Sequence, residues 1–188
     1  MSAAAVSLSS GELTARCPRA LLDLDSSPPP VAGRDGLIPV RLTWSGNRIQ
    51  SVQPTPEASG LLLPRLVEPH AHLDKAFSWN DHPNPAGTYE GALAANFREH
   101  ETRTAERVQQ RAERALQLAW DHGLRAVRSH IDSAGPGANC SWEVLSDLRV
   151  RWRDRIELQL VALVPVEHWS TLEGEQLAAA VARAQGLI

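Results

Sequence analysis

From residue 61 onward the chain alternates short apolar runs with stretches of helical period, and this alternation limits the possible folds more than any other feature. Residues 61–67 form a mostly apolar run that suits a strand covered on both faces, and residues 124–131 and 156–165 read as two further strands. Between the first two, Thr104 can cap a helix in which Val108, Ala112, Ala115, Leu116 and Ala119 recur at helical spacing. Gly123 follows where a left-handed residue closes a helix. Residues 141–152, with Trp142, Leu145, Leu148 and Trp152, form a second such helix, and residues 171–185, closed by Gly186, a third. Strands joined by helical crossovers run parallel in one sheet. Leu187 and Ile188 read as the opening of a fourth strand, and a parallel sheet that stopped there would keep an open edge.

Ahead of this region, Ile38, Val40, Leu42 and Trp44 alternate with polar or turn-forming neighbours, Ser45-Gly46-Asn47 intervenes, and residues 48–52 resume as a second short strand. That pattern predicts a β-hairpin on a half-buried sheet. Three prolines and a Gly-Arg-Asp-Gly run make residues 26–35 a loop, and residues 78–87, rich in Asn, Asp, Pro and Gly, a second one of the kind that carries function. The expected fold class is α/β in two parts, an N-terminal β segment over residues 1–60 and parallel βα units over residues 61–188.

Composition narrows the function. With 43% hydrophobic and 22% charged residues the chain belongs among globular proteins. Its net charge of −3 and scattered basic residues lack the footprint of a nucleic-acid or anionic-membrane binder. No run is apolar enough to span a bilayer, and the first sixteen residues lack the basic start and apolar core of a secretory leader. Cys17 and Cys140 lie far apart and outside any C-x-x-C arrangement, which suits free thiols in a reducing cytoplasm. Neither a phosphate-cradling glycine loop nor a Gly-x-Ser-x-Gly turn is present. A small polar or neutral molecule is the expected partner.

His70-Ala71-His72 ends the first apolar run, and on a strand residues i and i+2 project to the same side. Two neutral imidazoles so placed can reach one metal ion. The run Leu66-Val67-Glu68-Pro69-His70-Ala71-His72-Leu73-Asp74-Lys75-Ala76-Phe77 resembles the first-strand signature of the amidohydrolase superfamily, most closely that of cytosine deaminases and related aminohydrolases of ring compounds. Ala126-Val127-Arg128-Ser129-His130-Ile131-Asp132 is similar to the family's second strand and Glu157-Leu158-Gln159-Leu160-Val161-Ala162-Leu163 to its third. The hairpin is similar to the small β-sandwich that flanks the family's barrel.

The resemblance covers the chain from about Ile38 and implies a (β/α)8 TIM barrel with its metal at the C-terminal ends of the strands, here as an N-terminal half truncated after about three βα units. It implies a divalent metal ion, zinc or iron, with His70 and His72 as two of its ligands, and hydrolysis of a C–N bond in a small aminated ring or cyclic amide. No catalytic residue of the family maps onto this chain, because the later histidine ligands, the catalytic glutamate and the final aspartate lie on strands beyond the third. From Leu61 the chain is about half of the roughly 250 residues of a complete barrel. Two alternatives therefore stay open, an inactive truncated fragment or relic, and a half-barrel completed by a second chain or by self-association. Family members that act on cytosine place a glutamine just beyond the third strand, where this chain reads Val164-Pro165-Val166-Glu167-His168, so cytosine itself is not carried over.

Further residues surround the histidine pair. Asp74 and Lys75 read as a local ion pair that fixes the loop. His130 and Asp132 end the second strand facing the same site, where they either touch substrate or form a hydrogen-bonded rim pair. His82, His100, His122 and His168 read as surface residues, and Trp79 as a packing residue or the cap of a pocket.

Overall fold

In a computed structural model, residues 10–23, 30–135 and 137–188 are described. The N-terminal stretch as far as Ser9 and the loop expected from Ser26 as far as Pro29 lie outside them. The chain divides into two compact units, Met1–Pro64 and Arg65–Ile188.

The first unit is an antiparallel sheet of β1 (Gly11–Pro18), β2 (Leu37–Ser45) and β3 (Arg48–Pro54). The predicted hairpin is β2–β3, with Ser45 opposite Arg48 across a two-residue turn. β1 escapes a sequence reading because its buried positions are the small residues Ala15 and Cys17, set opposite Val40 and Ile38. Those four side chains form the buried core of the unit.

The second unit holds β4 (Leu66–Ala71), α1 (Tyr89–Glu101), α2 (Ala105–Asp121), β5 (Leu124–Asp132), α3 (Ala138–Trp152), β6 (Glu157–Leu163) and α4 (Leu172–Arg183). β4, β5 and β6 are neighbours in one parallel sheet, as the strand–helix alternation requires. Leu187 extends it, donating to Leu160 and accepting from Ala162. α2 and α3 pack on the sheet through Ala112, Leu116, Leu145, Leu148 and Trp152, which meet Val127, Ile131, Leu158 and Leu160 in one buried cluster. Among the described residues no helix is long and apolar enough to cross a membrane.

The helix boundaries follow local chemistry. Thr104 caps α2 by accepting from the Arg107 amide at 3.3 Å, and Gly123 takes φ +81° after it. Replacing Thr104 by Ala is expected to cost about 1 kcal/mol, read as a lower urea midpoint at unchanged slope. An unmoved midpoint would show that the cap contributes nothing. At the end of α4 it is Gln185, not Gly186, that adopts the left-handed conformation, with φ +53°. Gly186 is needed for closeness instead, since a Cβ there would stand 2.9 Å from the Trp142 ring.

Two expectations change, and one helix stands where none was expected. The first parallel strand begins at Leu66, because Leu61 makes only an isolated bridge to Arg16 and Pro64 has no amide to donate. β4 is an edge strand in this chain, with Leu66 56% and Val67 58% exposed, rather than one covered on both faces. α1 is a helix where sequence periodicity gave no clear sign, and Thr88 caps it by accepting from the Gly91 amide at 3.1 Å.

Candidate active site

β4 carries His70 and the backbone leaves the strand at His72, entering a 3-10 turn, Leu73–Lys75. The turn is pinned from β5, where the buried Ser129 hydroxyl accepts from the Leu73 amide at 3.1 Å. Glu68 holds the strand end by accepting from the His70 amide at 2.9 Å.

The rings of His70 and His72 lie 5.4 Å apart at 66°. His130, from the end of β5, stacks on His70 at 4.0 Å and 18°, and lies 6.0 Å from His72. Lone pairs of two nearly parallel stacked rings cannot meet at one ion, so in this arrangement His130 buttresses His70 rather than joining it. Burial, then the charge of Lys75, pushes the His72 imidazole down to about 4, against the pull of Asp132. His72 is therefore neutral at neutral pH, the form that binds metal. Its Nδ1 makes no well-formed hydrogen bond among the described residues, although the His130 carbonyl lies beside it. Among the described residues no group of three or more His, Cys, Asp or Glu side chains is arranged around a common ion position. The two imidazoles fit as two donors of a metal site.

Asp132 ends β5 beside this pair. It does not bond to His130; its Oδ2 accepts from the Lys75 ammonium at 2.7 Å. Lys75 also donates to Asn96 of α1 at 2.9 Å. Burial pushes the Asp132 carboxyl up, but Lys75 and Asn96 outweigh it and hold the group below its ordinary range. Asp132 is thus a fixed carboxylate acceptor.

Asp74 and Lys75 do not pair with each other. Consecutive side chains in the tight turn diverge, and Asp74 turns into the protein to meet Arg103 at 2.9 Å. Arg103 is fully buried and also donates to Glu99 through Nε at 3.0 Å and to Ser141 at 3.0 Å. Arg111 closes the far side of Glu99 at 2.7 Å. Burial pushes Asp74 up to about 6 while Arg103 draws it down. Arg103, for which burial works the other way, remains cationic because three carboxylates surround it. This network ties the turn after His72 to α1, α2 and α3, and neither Glu99 nor Arg103 stands out in the sequence.

His100 is buried, not at the surface, with Nδ1 accepting from the Gly137 amide at 3.3 Å. His82 and His168 are half-buried and His122 exposed. Trp79 is exposed on a short 3-10 turn. Phe77 takes the left-handed conformation, φ +60°, with the Arg114 guanidinium 4.3 Å over its ring.

No known protein-family profile matches the chain. Over 109 residues it is 39% identical to a pterin deaminase of Rhizobium rhizogenes, an alignment that covers 57% of this chain and 25% of that one. Among solved structures, 5-methylcytosine deaminase from Klebsiella pneumoniae liganded with 5-fluorocytosine superposes with a TM-score of 0.64 at 22% identity, over 81% of this chain and 36% of that one. The same enzyme liganded with phosphonocytosine gives 0.62 at 23% identity. The structural likeness is one of fold. The matched part spans about a quarter to a third of the length of these relatives.

Proposed function

We propose, starting from a chain that is amidohydrolase-like over part of such an enzyme's length, that it contributes to a metal-dependent hydrolase cleaving a C–N bond of a small aminated ring. The observation that carries this reading is the pair His70 and His72, on one side of a parallel strand's C-terminal end with rings 5.4 Å apart. The three parallel strands, with Leu187 added beyond β6 and β4 open on its other side, are read as the first strands of a (β/α)8 barrel. Barrel chemistry sits at the strand ends where these histidines lie.

A divalent ion, zinc or iron, would supply Lewis-acid activation of water for attack on the carbon that bears the leaving nitrogen. Of this chain's residues, His70 and His72 would hold the ion, and His130 would fix the His70 ring by stacking. Asp132, kept ionised by Lys75, would accept a hydrogen bond from the amine of the ring and orient it. The free thiols Cys17 and Cys140 support a reducing, cytoplasmic setting.

Two protein donors fall short of the three usual in a catalytic zinc site. The 188-residue chain is therefore expected to bind zinc weakly enough to lose it on dialysis. Calorimetric titration should show that His70→Ala or His72→Ala removes the binding. Zinc retained stoichiometrically through dialysis, or binding unaffected by both substitutions, would refute the assignment.

A further inference from the structure

The two faces of α1 are reversed relative to those of α2 and α3. Of its apolar side chains only Ala95 is buried, whereas Phe97 is 61% and Tyr89 77% exposed. Together with Leu93 these two border a cavity of about 790 Å³, across from Leu163 and Pro165, in place of packing on the sheet. α2 buries Val108, Ala112 and Leu116, and α3 buries Leu145, Leu148 and Trp152. Among the described residues, none of α1 joins the buried apolar cluster.

What α1 turns inward is polar. Asn96 accepts from Lys75 at 2.9 Å, Glu99 accepts from Arg103 at 3.0 Å and from Arg111 at 2.7 Å, and His100 accepts from the Gly137 amide at 3.3 Å. Each of these bonds replaces a bond to water, so its net contribution is small, and desolvation offsets much of what a buried ion pair gains. Burial of apolar area, which ties α2 and α3 to the sheet, is nearly missing here. A segment with few buried apolar side chains opens at a lower free energy than the body it rests on. α1 is bounded by Gly87, left-handed at φ +66°, and by Thr102, element-terminal positions of the kind that absorb a hinge motion.

We infer that α1 is a polar-held clasp that opens apart from α2 and α3, and that its opening frees Lys75 and Asp132 beside His72. Lys75 bridges the clasp and the strand end, since its ammonium meets Asn96 of α1 and, at 2.7 Å, Asp132 of β5. With the helix away, that bridge loses one anchor and the face carrying the histidines gains an open side. The opening stands on the packing of α1; its bearing on a metal site rests on the reading above.

Hydrogen exchange on the 188-residue chain, followed by NMR in rising urea, tests the clasp. Amides of residues 94–99 should exchange at least tenfold faster than those of α2 and α3, with a weaker dependence on urea because less surface is exposed. The Gly137 amide, whose partner is His100, should follow α1, and the Leu73 amide, held by Ser129 of β5, should not. Glu99→Gln or Asn96→Ala should speed α1 exchange about tenfold, the scale of one bond to a charged group. Phe97→Ala should leave it unaltered. Ile156→Val, which trims the buried cluster, should speed exchange in α2 and α3 several-fold and leave α1 at the parental rate, because the core stays intact when the clasp opens. Lys75 is the chain's single lysine, so acetylation read by mass spectrometry reports its release. Glu99→Gln, which does not touch Lys75, should raise that rate several-fold. Uniform exchange across α1, α2 and α3, an α1 rate raised by Ile156→Val or Phe97→Ala, or a Lys75 rate unmoved by Glu99→Gln would overturn the inference. Zinc titration of the parent separates the two readings. The exchange pattern above without zinc binding leaves the clasp standing and refutes the metal site, and zinc binding through the histidines with uniform exchange does the reverse.

Discussion

Replacing Arg103 by Met is expected to destabilise the second unit by about 3–5 kcal/mol, the scale for removing one partner of a buried ion pair. Arg103 has no exposed side-chain surface, and its guanidinium meets Asp74, Glu99 and Ser141 together. Without it, Asp74 is left buried and loses the guanidinium that bonds it, while Glu99 keeps Arg111. Arg103→Lys should recover only part of the loss, because an ammonium cannot reproduce the forked contacts. The deficit should depend on pH in a definite direction. Asp74 already titrates at about 6, above the usual carboxylate value, through burial. Loss of the opposing guanidinium raises it further, so the folded variant binds a proton that the unfolded chain at neutral pH does not. Stability then falls as pH rises through that range, and the gap between variant and parent narrows as pH is lowered from 7 to 5. Urea titrations at both pH values test this. A variant with parental stability, or a gap that widens on acidification, would show that the network is not what holds the turn after His72.

Metal-dependent release of ammonia from pterin or aminopyrimidines is expected to be undetectable for the 188-residue chain by itself, whichever divalent ion is added. General acid–base assistance contributes typically ~10²–10⁴-fold, and an acid catalyst needs a carboxyl that is protonated part of the time. Asp132, beside the histidines, does not meet that need, because Lys75 holds it ionised. Asp74, although raised to about 6, is sealed in the Arg103 network away from any incoming molecule. Turnover that appears with zinc or iron and vanishes in His72→Ala would overturn this expectation. It would mean that a proton shuttle is assembled by some other route, self-association included.

Much of the scaffold was legible because it is written in short-range pattern. The spacing of Val108, Ala112 and Leu116, the Thr104 cap and Gly123 define α2 without reference to the rest of the molecule. The hairpin and the parallel order of β4, β5 and β6 follow equally from local alternation and from helices placed between strands. The same-side placement of His70 and His72 is a property of an extended backbone, and it put two donors together before any tertiary contact was considered.

Tertiary structure alone decided which charges are buried and what they hold. Arg103 finds Asp74 29 residues away and Ser141 38 residues away, distances over which no periodic signal runs. An isolated charged residue in sequence is read as solvated, since burial is tolerable only when partners from distant segments satisfy it. For the same reason Asp74 and Lys75 looked like one local pair and are instead the ends of two separate contacts, and His100 looked exposed and is buried. The His70–His130 stack and the cavity under α1 likewise exist only once β4, β5 and α1 are brought side by side. Backbone geometry and local period set the histidine pair; the long-range packing of the strand ends and α1 set what surrounds it.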